Sequence, residues 1–258
     1  MAIQYALPYL KQLDIEFPEQ PTMEDIQTEI KKTQAMLGER SVASLIDLPR
    51  MKNARALAGL NMLSKLNVAF YTATPMLFPL AVCKKVQLAL SYGNTEEVIP
   101  YYAAYGFVLS ALVDEIEQGY EYGQLAEALL NKMDAKAQTA LTLVNLTGPK
   151  NFKEPLRNFI APLLQGMQAG RGSGDLHYAS VSGMWIGIYS LFAGMDLETL
   201  HNKGKQFNQF MLSLNQKVCF DWNELLRQMI LNLLGQSEDS VLLKGDAFDE
   251  TAQLSELH

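Results

Sequence analysis

Apolar residues recur at spacings of three and four through nearly every segment of this chain. No convincing period-two alternation interrupts them, so the pattern predicts an all-helical protein. The plainest case is "MEDIQTEIKKTQAML", in which Ile26, Ile30, Thr33 and Leu37 share one face. Thr22 stands at its N-cap position, Gly38 follows its last turn, and its acids precede its lysines as the helix dipole favours. Asn53 opens a helix expected to run to about Ala73, where Thr74 and Pro75 stop it and start the next. That next helix ends at "SYGN", with Gly93 past the last turn.

Three further helix pairs are predicted at roughly 97 to 115 with 118 to 132, 135 to 147 with 152 to 169, and 175 to 193 with 196 to 214. Their turns, near Ile116, Phe152 and Leu197, lie 36 and 45 residues apart, close to the period of stacked helical hairpins. A last helix, about Val218 to Leu234, carries the stripe Trp222, Leu225, Leu226, Met229, Ile230 and Leu233, and no partner helix follows it before an acidic tail. The expected organisation is a helical lead-in over 1–50, a repeat array over 51–234 and an acidic, partly extended tail over 235–258. The expected fold is a right-handed solenoid of antiparallel helical hairpins.

Small residues mark the close contacts. Gly119 and Gly123 lie inside "DEIEQGYEYGQLAEALL", where each costs about 1 kcal/mol relative to alanine. Together with Ala126 they make a flat seam, and Ala103, Ala104 and Gly106 of the preceding helix supply a matching one. Gly183 and Gly187 repeat the spacing in "GMWIGIYSLFAGM". Tyr102, Tyr105, Trp185 and Tyr189 are the candidates for a partner-binding groove, since aromatic side chains are enriched at interfaces as well as in cores.

Composition narrows the function classes. With 258 residues, 48% hydrophobic and 19% charged, the chain can bury a substantial core. Of the net charge of −7, the stretch from Gly235 to His258 contributes −5, from six acids against Lys244. No basic stripe is left to neutralise phosphates, so no nucleic-acid partner is expected. Cys83 and Cys219 are isolated thiols in apolar helical patterns, which predicts a reduced protein of the cytoplasm. The start, "MAIQYALPYLKQLDIEF", lacks the features of a signal peptide. Leu66 to Cys83 and Tyr178 to Met195 carry no charge, but prolines, threonines and serines interrupt them, so both read as buried helices rather than membrane spans.

No reactive constellation emerges. "GMQAGRGSGD", Gly166 to Asp175, follows a helix rather than a strand, and no lysine precedes Ser173, so it reads as a turn and not as a phosphate loop. His177, His201 and His258 sit in separate segments, and Glu96 with Glu97 and Glu115 with Glu117 read as solvated turn acids. No catalytic, cofactor-binding or metal-binding residue is expected.

"YYAAYGFVL", "DEIEQG" and the Gly119, Gly123, Ala126 seam resemble a tetratricopeptide hairpin, although the terminal proline is missing and Pro155 and Pro162 interrupt the third pair. The order "ALPYLKQLDIEFPEQPTMEDI", "SLIDLP", "FPLAVCKKVQLALSYGN", "AAYGFVLS", "GYEYGQLAEALL" and "QMILNLLGQSED" covers almost the whole chain. It is similar to the tetratricopeptide-like middle segment of very large bacterial signalling proteins. In that family a serine/threonine kinase domain and an AAA-type ATPase region precede the helical array, and GAF and often histidine-kinase domains follow. The resemblance implies a fragment whose catalytic domains lie outside it. Such a fragment would serve as a non-catalytic relay that binds neighbouring domains or a peptide or protein partner, with self-association possible through the last helix. The alternative is an independent all-helical ligand-binding protein or enzyme, with a pocket lined by Tyr102, Tyr105, Trp185 and Tyr189.

Overall fold

The structure, a computed structural model, describes residues 2–253; Glu256 and His258 of the expected tail lie outside the described residues. Among those described there is no strand. The chain divides into two compact units, Met1–Lys153 and Glu154–His258, and the division falls inside the stretch expected to form one array.

The first unit begins with α1, Ala2–Gln12, and α2, Met23–Leu37. The expected start of α2 is realised as a capping box: Thr22 Oγ1 accepts from the Asp25 amide, and the Asp25 carboxylate accepts from the Thr22 amide. After a 3-10 turn over Val42–Asp47 come α3, Ala54–Lys65, and α4, Asn67–Ala73. The single helix expected from Asn53 to Ala73 is therefore broken at Leu66. Next are α5, Leu77–Tyr92, α6, Ile99–Leu112, α7, Ile116–Lys132, and α8, Thr139–Lys150.

Helix α6 has no charged residue and no polar face, so it can be accommodated only with neighbours nearly all round. It packs on α5, α7 and α8, and α8 packs in turn on α7. The α6–α7 contact is closest at Gly106 and Gly119. A Cβ on Gly119 would lie 2.5 Å from the Gly106 carbonyl oxygen, and one on Gly106 would lie 2.3 Å from the Gly119 carbonyl oxygen. The chain entering α3 is fastened to the turn after α5. Asn94 donates its amide to the Pro49 carbonyl, accepts from the Met51 amide and donates its side-chain amide to the Leu45 carbonyl. Gly93 permits this with a φ of 103°, in a place where a Cβ would sit 2.0 Å from the Pro49 oxygen.

The second unit holds α9, Ile160–Ser173, α10, Leu176–Phe192, α11, Leu197–Ser213, α12, Lys217–Leu233, and a last short turn, α13, Glu250–Gln253. Here α10 packs on α9, α11 and α12, and α11 packs on α12. One helix in each unit packs on its successor and the next but one, α6 on α7 and α8 and α10 on α11 and α12, whereas α2 reaches past α3 and α4 to α5. The expected pair of 135–147 with 152–169 is divided between the two units. Helix α8 belongs to the first unit with α6 and α7, whereas α9 belongs to the second with α10.

Candidate protein-interaction face

Three of the four rings expected to line a groove, Tyr102, Tyr105 and Tyr189, are buried, and Trp185 is half-buried. Tyr102 and Tyr105 are fully buried in the first unit, stacked and edge-on against Tyr122 at centroid distances of 6.1 and 4.9 Å. The Tyr102 hydroxyl donates to Asn94 Oδ1 at 2.8 Å, which places it in the core that holds the lead-in. In the second unit Tyr189 is buried against Phe159, and the half-buried Trp185 stacks on it at 5.3 Å. The correction has a simple cause: an all-apolar helix gives no sequence signal of which side faces out, and close packing claimed these rings.

The small residues serve as packing devices, with partners partly different from those expected. Gly119 faces Gly106 as foreseen, whereas Gly123 faces Pro149 of α8, whose Cγ would lie 3.2 Å from an added Cβ. Ala126 is fully buried. Gly183 faces Met211 of α11, and Gly187 faces Leu226 of α12. The stretch Gly166 to Asp175 is not a loop at all: Ser173 ends α9, Gly174 takes a left-handed conformation, and Asp175 caps α10.

Titratable groups in the first unit are engaged with one another. Glu29 on α2 accepts from Lys84 Nζ at 2.8 Å and from Gln87 Nε2 at 2.6 Å, and Gln87 also donates to Thr33 Oγ1. Burial pushes the Glu29 carboxyl up, but these hydrogen bonds and the charges of Lys84 and Lys32 hold it below the ordinary value. Beside them the Cys83 thiol is pushed up to about 12 by burial and stays protonated. Lys85 is wholly buried, donating to Asn67 Oδ1 at 2.9 Å with its Nζ 3.5 Å from the centre of the Tyr101 ring, and burial lowers its pKa well below the ordinary lysine value.

In the second unit a polar seam joins α11 to α12. Asn223 donates to the Gly204 carbonyl and to Asn208 Oδ1, while Asn208 and Arg227 both donate to Glu224 Oε1. His201 lies beside this seam, and burial, followed by the charges of Arg227 and Lys205, lowers its pKa. Asn223 and Asn208 tie one helix to the other, while the Arg227–Glu224 pair lies within α12. Among the described residues no group of three His, Cys, Asp or Glu is placed to hold a metal ion.

What remains open is one face of α12. The stripe read from sequence divides in two. Leu226 and Ile230 turn inward and form a core cluster with Leu200, against which Ile188, Leu191, Met195 and Met229 pack. Trp222 and Leu233 turn outward, 55% and 61% exposed, and are joined by Val218 at 68%, a residue four positions before Trp222 that the sequence pattern already permitted. Leu225 and Met229 lie half-buried between them.

The tail covers the other flank of the same helix. Gln228 Oε1 accepts from the amides of Ala247 and Phe248, and Asn232 Nδ2 donates to the carbonyls of Asp239, Ser240 and Leu242. Phe248 is buried, whereas Val241 is 86% exposed. The last helix is thus partnered on two sides and bare on a third.

No protein-family model matches the chain, and neither the curated proteins nor the solved structures provide a match. Among the described residues no helix is long and apolar enough to cross a membrane.

Proposed function

We propose that this chain is a non-catalytic interaction and relay segment of a multidomain kinase and ATPase sensor protein, working in the cytoplasm. The observation that carries the reading is the outward face of α12, where Val218, Trp222 and Leu233 stay exposed on a helix whose opposite side is well packed. A large aromatic ring left in water at the centre of an apolar stripe is the kind of anchor that partner surfaces use. The packing of α6 on α7 and α8, and of α10 on α11 and α12, supports the finer proposal, a right-handed stack of degenerate tetratricopeptide-like hairpins. Glu29, Lys84, Asn208 and Glu224 are held in internal contacts, which fits a scaffold better than a reaction centre.

The test is to read the gene around this segment and to express the flanking segments as separate chains. The proposal expects kinase and ATPase motifs beside it, and calorimetric binding of at least one flanking segment to this chain. A reading frame without those motifs removes the proposed parentage, and absence of binding by every flanking segment removes the relay.

A further inference from the structure

Two buried amides on α12 are spent on the main chain of another segment. Gln228 is wholly buried, and Asn232 is buried one turn on. Asn232 Nδ2 donates to the carbonyls of Asp239, Ser240 and Leu242 at 3.2, 3.3 and 2.8 Å, and Gln228 Oε1 accepts from the amides of Ala247 and Phe248 at 3.1 and 3.4 Å. Gln228 Nε2 donates to Asn232 Oδ1 and to Ser237 Oγ. Burying two side-chain amides is unfavourable unless each is bonded. A partner helix keeps its main-chain groups for its own ladder and could not bond them, so this flank of α12 is built for an extended or turned segment.

The segment that lies there is held by little of its own sequence. Phe248 is the one buried residue between 235 and 250. Gly245 lies so close that a Cβ would be 2.7 Å from Gln228 Nε2, an atom pinned by its two hydrogen bonds. A glycine three places before a phenylalanine satisfies both constraints. The turn closes on itself: the Gly245 amide donates to the Phe248 carbonyl at 2.9 Å, the Glu250 amide to the Leu243 carbonyl at 3.0 Å, and the Leu243 amide to Glu250 Oε2 at 3.2 Å. It therefore carries its own shape, which a short peptide can imitate. With a single side chain buried, it also belongs to the parts of a fold that open first.

We propose that the Gln228 and Asn232 flank of α12 is a peptide-binding site for a Gly-x-x-Phe turn of a partner protein, and that the chain's own tail occupies it as a strap. A tethered occupant competes at an effective concentration on the order of millimolar, so a partner binds only the open fraction. The site is separate from the bare flank at Val218, Trp222 and Leu233. It goes beyond the interaction reading and does not depend on the parent protein.

Fluorescence anisotropy with a fluorescein-labelled synthetic peptide, QSEDSVLLKGDAFDET, the sequence of residues 236–251, tests it. The full-length Phe248→Asp chain, whose strap has lost its anchor, is expected to bind the peptide about tenfold or more tightly than the parent chain does. Phe248→Ala within the peptide, or Asn232→Leu added to the opened chain, is expected to abolish that binding. No binding to a Phe248→Asp chain with the parent's circular-dichroism spectrum, equal binding by the two chains, or binding that survives loss of the peptide's phenylalanine each overturns the proposal. Hydrogen exchange of the unmodified chain decides the matter if Phe248→Asp unfolds. The Ala247 and Phe248 amides are expected to exchange about tenfold or more faster than those of Met229 and Ile230 within α12. Equal rates would mean that the strap opens only with the whole unit, and would overturn the proposal as well. If a flanking segment binds the parent while the peptide binds neither chain, the strap alone fails; if the peptide binds the opened chain while no flanking segment binds, the relay alone fails.

Discussion

Replacing Gly119 with alanine places a carbon where the main chain of α6 already lies. The added Cβ would sit 2.5 Å from the Gly106 carbonyl oxygen and 2.2 Å from Ser110 Oγ. The serine can rotate, but the carbonyl belongs to a helix and cannot, and its distance is roughly 1 Å below ordinary contact. The helices must therefore part, which loosens the packing around Tyr105 and Tyr122. Overpacking of this kind costs about 2 to 3 kcal/mol, and the better helix propensity of alanine offsets about 1, leaving a net loss of about 1 to 2 kcal/mol. Gly123 is the internal control, on the same helix four residues on. Its Cβ would meet Pro149 Cγ at 3.2 Å, Lys150 Cγ at 3.5 Å and Pro149 Cβ at 3.7 Å, with no main-chain atom among them, and a change of ring pucker relieves the first, so Gly123→Ala is expected to be neutral or slightly stabilising.

The assay is thermal and denaturant unfolding followed by two probes at once. Both tryptophans, Trp185 and Trp222, belong to the second unit, so their fluorescence reports that unit, while far-UV circular dichroism reports all helices. Gly119→Ala is expected to lower the dichroism transition by about 2 to 4 °C per kcal/mol lost and to leave the tryptophan transition in place. Equal stability of the Gly119 and Gly123 variants would refute the close-approach argument.

The remaining predictions concern a buried charge and the tail. Lys85 has a folded-state pKa well below its unfolded value, so the unfolded chain binds the extra proton, and stability should rise with pH from the folded pKa up to about 10.5. Lys85→Met should raise the melting temperature at pH 7 and flatten that rise; a variant with the parent's pH slope would contradict it. Asn232→Ala leaves the carbonyls of Asp239, Ser240 and Leu242 without their shared donor, at a cost of about 1 to 3 kcal/mol. Trypsin should then cut faster at Lys244, and an unchanged cleavage rate would show that the tail is held by other contacts.

The parts of the fold legible from sequence were those set by local chemistry. Thr22, Asn53, Gly38 and Gly93 each punctuate the chain through bonds to their own neighbours, and all four stand at helix ends as read. The break at Leu66 was not legible, because the apolar pattern runs straight through it. Helix α6 defeated periodicity for a different reason: with no polar face, it said nothing of which tyrosines face outward. The same ambiguity hid the division of the α12 stripe, since residues one position apart in the pattern, such as Leu225 and Leu226, part company only when α10 and α11 claim one of them. The grip of Gln228 and Asn232 on the tail left no trace either. A side-chain amide holding main-chain atoms up to twenty residues on has no periodicity to betray it.

The attachment of the lead-in also bears on the order of synthesis. Gln34 bonds to Gln118, and Lys132 bonds to the Ile46 carbonyl and to Asp47, contacts that join residues 84 to 86 positions apart. A nascent chain cannot close these until α7 has left the ribosome, and the face of α2 that packs on α5 waits for partners 54 to 55 positions further on. In the second unit each of α10 and α11 finds its partners one or two helices along. The half of the protein made first is therefore the half that needs longer protection during translation.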